Sequence, residues 1–169
     1  MPNREPVDAT AWLILPTYNE AENIGPIVAA AVQRLSEGAR EHKVLIVDDN
    51  SPDGTGDAAD VLAENYPTVE VLHREKKQGL GRAYLAGFNA ALEGGADLVL
   101  EMDADFSHDP RDLPRLIRAA HSECDLAIGS RYVPGGGVRD WTLLRKFISR
   151  GGCAYARQIL GIDVQDSVR

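Results

Sequence analysis

The most informative part of the chain is Ala96-Asp-Leu-Val-Leu100 with the acidic segment that follows it, Glu101-Met-Asp-Ala-Asp-Phe-Ser-His-Asp-Pro110. The first part is a short apolar run typical of a buried strand, and the second places Asp103 and Asp105 where that strand ends. Water or a cation must satisfy such carboxylates, and their oxygens suit Mg²⁺ or Mn²⁺. The alternative is a cluster of helix N-caps ahead of a helix at 110–123, because Asp and Ser are common caps.

Similar apolar runs alternate with helical patterns along the chain. Strands are predicted at 11–15, 44–47, 69–72, 98–100 and 126–128. Helices are predicted at 20–36, 55–65, 79–93, 110–123 and 142–160. Short apolar strands separated by helices imply a mostly parallel sheet covered by helices on both faces. The sequence therefore predicts one Rossmann-like α/β domain over residues 1–169, with a glycine-rich loop at 134–137.

Composition places the chain among soluble globular proteins. It is 44% hydrophobic and 26% charged, and no apolar stretch approaches the roughly 20 residues that span a bilayer. The first ten residues lack the apolar core of a signal peptide. Two cysteines, Cys124 and Cys153, are too few for a disulfide framework. The expected location is the cytoplasm.

The net charge of −8 is unevenly distributed. Residues 1–130 hold 11 Lys and Arg against 23 Asp and Glu, whereas residues 131–169 hold 7 against 3. An acidic body with a basic end is compatible with a metal–nucleotide site and an anionic partner. The alternative is that the basic side chains solvate a helix face. No nucleic-acid partner is expected.

Polar clusters follow four of the predicted strands. They are Pro16-Thr-Tyr-Asn-Glu20, Asp48-Asp-Asn-Ser-Pro-Asp-Gly-Thr55, the Asp103–Asp105 turn and Gly129-Ser-Arg-Tyr132. Any one of them is explained by turn chemistry, in which Asn, Asp, Gly and Pro dominate. Because ligands bind beyond the carboxyl ends of parallel strands, the four together indicate a binding site.

The residue types in these clusters suit a nucleotide. Neither Gly-x-Gly-x-x-Gly nor a Walker motif is present. Gly79-Leu-Gly81 is a weak phosphate signal that close helix–sheet packing explains equally well. Carboxylates can hold base and ribose, an aromatic ring can stack, a metal can bridge the diphosphate, and an arginine can contact phosphate. The side chains with these chemistries are Tyr18, Glu20, Asp49, Asp103, Asp105 and Arg131.

These motifs resemble a known family over residues 10–166. Leu15-Pro-Thr-Tyr-Asn-Glu-Ala-Glu-Asn23, Val47-Asp-Asp-Asn-Ser-Pro-Asp-Gly-Thr55, Gly79-Leu-Gly-Arg-Ala-Tyr84, Met102-Asp-Ala-Asp-Phe-Ser-His108 and Gly129-Ser-Arg-Tyr132 are the matching segments. They resemble family 2 glycosyltransferases, and within that family the dolichol- or polyprenol-phosphate mannosyltransferases. The resemblance implies a GT-A fold, a GDP-mannose donor, and Mg²⁺ or Mn²⁺.

The resemblance also implies roles for individual residues. Binding of the nucleotide sugar falls to Pro16, Tyr18, Glu20, Val47, Asp49, Asp103, Ala104, Asp105 and Arg131. The implied metal ligands are Asp103, Asp105 and Ser107, and the implied catalytic residues are Asp103, Asp105 and Arg131. The implied reaction is one displacement with inversion by a dolichyl or polyprenyl phosphate. That nucleophile is ionised near neutral pH, since its second pKa is about 6, so no catalytic His is needed. His108 is interpreted either as a residue that supports the site side chains from behind or as turn structure.

The basic end is predicted to serve the acceptor. Within 142–160, Lys146, Arg150 and Arg157 fall in one narrow helical stripe. Such a stripe can contact a lipid phosphate at the cytoplasmic face of a membrane, where a membrane-anchoring partner is a further hypothesis. The alternative is that these side chains extend over a buried helix towards solvent.

The family pattern continues beyond Asp163-Val-Gln-Asp166, whereas this sequence ends at Arg169. The resemblance therefore implies that C-terminal elements, which close over the donor phosphates, are missing. Two alternatives stay open: a UDP-glucose-dependent polyprenyl-phosphate glucosyltransferase, and a nucleotide-sugar-binding module without turnover.

Overall fold

The computed structural model of the chain describes residues 5–129. The chain divides into two compact units, Met1–Ala127 and Ile128–Arg169. The elements of the first unit are β1 (Val7–Thr17), α1 (Ile24–Gly38), β2 (Ala39–Asp48), α2 (Thr55–Asn65), β3 (Val69–His73), α3 (Leu80–Glu93), β4 (Leu98–Glu101) and α4 (Leu113–Ser122). A 3₁₀ turn at Pro110–Asp112 directly precedes α4.

The four described strands form one parallel sheet in the order β3-β2-β1-β4. Leu13 on β1 lies opposite Val44 on β2 and Leu100 on β4. The chain adds strands on one side of β1 and then crosses to the other side, so the strand order reverses between β1 and β4. This reversal leaves a crevice at the carboxyl ends of the two strands, which is where open α/β sheets bind ligands.

The core lies in two layers, one on each face of the sheet. Successive side chains on a strand point to opposite faces. Leu13 and Leu15 accordingly pack with α1, α2 and α4, whereas Trp12 and Ile14 pack with α3. Each of the four is almost fully buried, and burying a side chain of this size contributes about 1.5–3 kcal/mol. The predicted α/β fold, with helices on both faces of a parallel sheet, is confirmed.

Element boundaries differ from the prediction where tertiary contacts set them. β1 and β2 pair from Val7 and Ala39 onward, so both strands extend into polar sequence that has no apolar signal. The predicted helix at 110–123 divides into the 3₁₀ turn and α4, with a proline in the first turn of each, where the missing N–H costs nothing.

The predicted strand at 126–128 is wrong. Residues 126–128 have no strand conformation, and Leu126 is 73% exposed. An apolar run becomes a strand only by pairing, and within residues 5–129 β4 pairs with β1 alone. The predicted helix at 142–160 and the loop at 134–137 lie outside the described residues. The single domain over 1–169 stays a prediction.

Gly87 sets the close approach of α3 to the sheet. A Cβ at this position would overlap Cγ2 of Ile14 on β1, whereas one at Gly81 in the same helix meets nothing within 4 Å. We expect Gly87→Ala to lower the free energy of unfolding by about 1–3 kcal/mol, measured by denaturant titration. The matched control, Gly81→Ala, should be neutral or stabilising by up to about 1 kcal/mol. Equal effects of the two substitutions would contradict a packing role for Gly87.

Candidate active site

A cleft of about 240 Å³ lies at the carboxyl edge of the sheet. It is lined by Pro16, Thr17, Tyr18, Glu20, Asp49, Lys77, Gly79, Leu80, Ala83, Asp103, Ala104 and Asp105. Seven of the nine residues predicted to bind a nucleotide sugar are therefore brought together: Pro16, Tyr18, Glu20, Asp49, Asp103, Ala104 and Asp105. They meet because β1 and β4 are parallel neighbours whose carboxyl ends open onto the same crevice.

The acidic turn after β4 is held by its own contacts. The backbone N–H of Ser107 donates to Asp105 Oδ1 at 2.8 Å. Phe106 between them has φ +58°, a left-handed conformation that is rare for a bulky residue and recurs at functional sites. The hydroxyl of Tyr84 donates to Asp103 Oδ1 at 3.1 Å, and the backbone N–H of Asp103 donates to His108 Nδ1 at 3.4 Å. His108 thus supports the turn, in line with its interpretation from sequence.

Helix N-capping, the alternative role considered for the acidic segment, is performed by Asp109. Asp109 caps the 3₁₀ turn by accepting from the backbone N–H of Arg111 at 3.0 Å. The hydrogen bonds from the Arg111 side chain, together with this backbone bond and the positive charge, lower the pKa of the Asp109 carboxyl. Asp103 and Asp105 line the cleft and cap no helix within residues 5–129.

The carboxylates of Asp103 and Asp105 are a ligand pair that fits a divalent cation. Within residues 5–129, no group of three or more His, Cys, Asp or Glu side chains could enclose a metal ion. Two carboxylates beside an open cleft leave coordination positions for phosphate oxygens and water, as Mg²⁺ sites usually do. Ser107, the third predicted ligand, is exposed and is not among the residues that line the cleft.

The loop after β1 is fastened to the turn after β2. The backbone N–H groups of residues 19–21 donate in order to Ser51 Oγ at 3.1 Å, Thr55 Oγ1 at 2.9 Å and Asp53 Oδ2 at 3.1 Å. The hydroxyl of Thr55 donates to Asp53, and this hydrogen bond is the main cause that lowers the pKa of the Asp53 carboxyl. Asp53 therefore stays an ionised acceptor at neutral pH. These contacts hold Tyr18 and Glu20 at the cleft, and they explain why α1 begins at 24 instead of the predicted 20.

Asp49 holds the segment between β3 and α3. Its Oδ1 accepts from the guanidinium of Arg74, and its Oδ2 accepts from the backbone N–H groups of Gln78 at 3.0 Å and Gly79 at 3.3 Å. The Asp49 and Arg74 side chains are only 6% and 12% exposed. Sequence reasoning missed Arg74 and Lys77, although both follow β3. Inspecting the residues after this strand, as after the other four, would have found them.

The structure also shows where Val47 and the Gly79–Gly81 pair lie relative to the cleft. Val47 is fully buried in the core layer beneath α3, so its side chain does not reach the cleft. Gly79 lines the cleft with φ +94°, and no atom lies within 4 Å of a Cβ built at Gly79 or Gly81. Close helix–sheet packing therefore explains neither glycine of this pair. Arg131, Lys146, Arg150 and Arg157 lie outside the described residues, and their roles stay predictions.

The family is decided by sequence comparison. The sequence pattern of glycosyl transferase family 2 matches residues 12–168, which is most of the chain. This chain belongs to glycosyl transferase family 2. Because the cleft residues fall within the matched range, the family membership covers the site as well as the sheet.

Relatives within glycosyl transferase family 2 are close in sequence. The undecaprenyl-phosphate mannosyltransferase of Micrococcus luteus is 52% identical over 90% of this chain and 61% of its own length. The polyprenol monophosphomannose synthase of Mycolicibacterium smegmatis is 49% identical over 91% and 57%. The dolichol-phosphate mannosyltransferase of Pyrococcus furiosus is 40% identical over 92% and 43%. The chain thus spans between two fifths and three fifths of the length of these curated relatives.

Solved structures of glycosyltransferases share the fold. A mannosyltransferase from Pyrobaculum calidifontis, in complex with GDP-Man and Mn²⁺, matches with a TM-score of 0.57 and 26% identity over 69% of this chain and 34% of that one. Glucosyl-3-phosphoglycerate synthase from Mycobacterium tuberculosis, with Mn²⁺ and UDP, matches with a TM-score of 0.54 and 21% identity over 68% and 40%. The predicted GT-A fold is confirmed. No helix within residues 5–129 is long and apolar enough to cross a membrane.

Proposed function

We propose that this chain carries the donor site of a metal-dependent mannosyltransferase that transfers mannose from GDP-mannose to a polyprenyl or dolichyl phosphate with inversion. The observation that carries the proposal is the meeting of Asp103 and Asp105 with Tyr18, Glu20 and Asp49 in one cleft. The mannosyltransferase relatives at 40–52% identity support the choice of sugar and acceptor. The neighbour solved with GDP-Man and Mn²⁺ supports the nucleotide and the metal.

Each cleft residue is assigned to a different part of the donor. Tyr18 offers a ring for stacking, and Glu20 offers acceptors for ribose hydroxyls. Asp49 can accept one further hydrogen bond, from the base. A carboxylate has about four acceptor positions, and Arg74, Gln78 and Gly79 use three of them. Asp103 and Asp105 would hold Mg²⁺ or Mn²⁺ near the diphosphate. When bound, such an ion stabilises the negative charge that develops on the departing nucleotide.

The acceptor phosphate needs positioning more than activation. A phosphate monoester is already largely ionised near neutral pH, so the reaction needs no strong general base. We assign Arg131 to the donor phosphates, together with backbone groups of Val47 and Ala104 at the donor. Lys146, Arg150 and Arg157 are assigned to the lipid phosphate and to an anionic membrane surface at the cytoplasmic face, with a membrane-anchoring partner as the further element of this proposal.

Calorimetric titration of the chain with GDP-mannose and UDP-glucose, each with and without Mn²⁺ or Mg²⁺, tests the proposal. We expect GDP-mannose to bind more tightly than UDP-glucose, and the metal to strengthen binding at least about tenfold. Tighter binding of UDP-glucose would favour the glucosyltransferase alternative. Failure to bind either nucleotide sugar would contradict the proposed function. Radiolabelled mannose transfer to polyprenyl phosphate then separates an enzyme from a binding module.

A further inference from the structure

In the described part of the cleft, carboxylates outnumber cationic side chains. Within residues 5–129, Lys77 is the only cationic side chain that lines the cleft, against four carboxylates, those of Glu20, Asp49, Asp103 and Asp105. Arg74 pairs with Asp49, and the other three carboxylates still outnumber the one lysine. A diphosphate entering this field is repelled unless cations offset the carboxylates. A metal ion shared by Asp103 and Asp105 offsets part of this charge, and Lys77 is placed to offset more of it.

Lys77 is held at the cleft by its backbone and by an aromatic ring. Its neighbours on both sides are fastened to the turn after β2: Arg74 and the Gln78 N–H bind Asp49, and the carbonyl of Glu75 accepts from Asn50 Nδ2 at 3.1 Å. The Lys77 ammonium lies 3.5 Å from the ring centroid of Tyr18. The segment therefore has a defined position, whereas the ammonium rests on a ring face that a nucleobase can also use.

We propose that Lys77 is a donor-binding residue whose ammonium contacts the diphosphate of the nucleotide sugar. This inference rests on the proposed function and adds a residue to it. Lysine is a compact charge on a flexible stem and suits phosphate oxygens, with which it makes charge-assisted hydrogen bonds. Such a bond is stronger than a cation–π contact at an exposed site, so the diphosphate displaces Tyr18 as the partner of the ammonium. The vacated ring face then accepts the base.

Titration of Lys77→Gln with guanosine, GMP and GDP, in Mn²⁺, tests this assignment. The adjacent Lys76→Gln is the matched control, because it removes the same charge one residue away and Lys76 does not line the cleft. We expect Lys77→Gln to weaken GDP binding about tenfold or more. The affinity for GMP should fall less than that for GDP. Guanosine should bind Lys77→Gln as tightly as the unaltered chain or more tightly, because the Tyr18 ring no longer carries the lysine ammonium. Lys76→Gln should change GDP affinity less than about twofold, as for a solvent-screened charge.

The three ligands separate the possible failures. GDP affinity unchanged by Lys77→Gln would overturn the assignment, and so would an equal loss for guanosine and GDP, which places the contact at the base. Lys77→Arg keeps the charge and should retain most of the GDP affinity. Failure of the unaltered chain to bind GDP would overturn the proposed function and this inference with it. GDP binding by the unaltered chain and by Lys77→Gln with equal affinity would overturn the inference alone.

Discussion

Replacing Asp105 with alanine is expected to abolish the metal-dependent part of GDP binding. Asp105 lines the cleft at the end of β4, where the proposed metal joins protein and diphosphate. Loss of a partner behind a metal ligand already costs about 10–100-fold in metal affinity, so loss of the ligand itself should cost about 100-fold or more. Calorimetry with GDP and Mn²⁺ measures this loss. Binding of GDP without metal should be equal or stronger, because the substitution removes one of the carboxylates that repel the diphosphate.

Asp112→Ala is the matched control for this prediction. Asp112 lies in the nearby 3₁₀ turn, where it is exposed and pairs with Arg115 at 3.2 Å on the surface. Removing it takes away the same charge without touching the cleft, and an exposed ion pair contributes at most about 1 kcal/mol to stability. If Asp105→Ala and Asp112→Ala bind GDP with Mn²⁺ equally well, Asp105 is no metal ligand.

Replacing Asp49 with alanine is expected to destabilise the protein and to weaken nucleotide binding even without metal. The substitution removes the carboxylate partner of the mostly buried Arg74 guanidinium, which keeps its hydrogen bond to Gln78 Oε1 at 2.6 Å, and frees two backbone N–H groups just before α3. Breaking a buried ion pair by removing one partner typically costs about 3–5 kcal/mol. Denaturant titration measures the stability. The exposed pair of Lys43 and Glu70 supplies the control, since Glu70→Ala should cost less than about 1 kcal/mol.

A second variant separates the structural part of Asp49 from its contact to the nucleoside. Arg74→Met removes the ion pair but keeps the carboxylate and much of the buried side-chain volume. If Asp49 contacts the base, Asp49→Ala should lose more guanosine affinity than Arg74→Met, measured where both are fully folded. Equal affinities in the two variants would assign Asp49 to holding the 74–79 segment alone.

The sequence predicts some residues in and around the cleft but not others. Asp103 and Asp105 were found because two carboxylates directly follow an apolar strand, and the rule for parallel sheets places them at the ligand edge. Arg74 and Lys77 also follow a strand, but charged residues in a loop are ordinary, so their position alone indicates no role. Their roles are indicated by their contacts: Arg74 pairs with Asp49, and Lys77 lies over Tyr18, although each partner is distant in the sequence.

The misjudged elements have the same cause. Residues 126–128 have the apolar composition of a strand but lack a described partner, whereas polar residues at 40–43 form a strand because β1 pairs with them. The alternation of β2 also turns the Val47 side chain into the core beneath α3, so the nucleotide-binding role that the resemblance implies for Val47 stays a prediction for its backbone. The length of a strand and the face to which its side chains point depend on the strands and helices beside it, which composition does not reveal.

The sequence correctly predicts the order of elements from β1 to α4, the parallel α/β class and the acidic turn after β4. Each of these follows from local periodicity or from residues that are adjacent in the chain. Tertiary contacts alone show that Ser51, Asp53 and Thr55 hold the loop after β1, that Arg74 pairs with Asp49, and that Lys77 lies over Tyr18. These contacts join residues about 25–60 positions apart, and they exist because the parallel sheet gathers the ends of its strands at one edge.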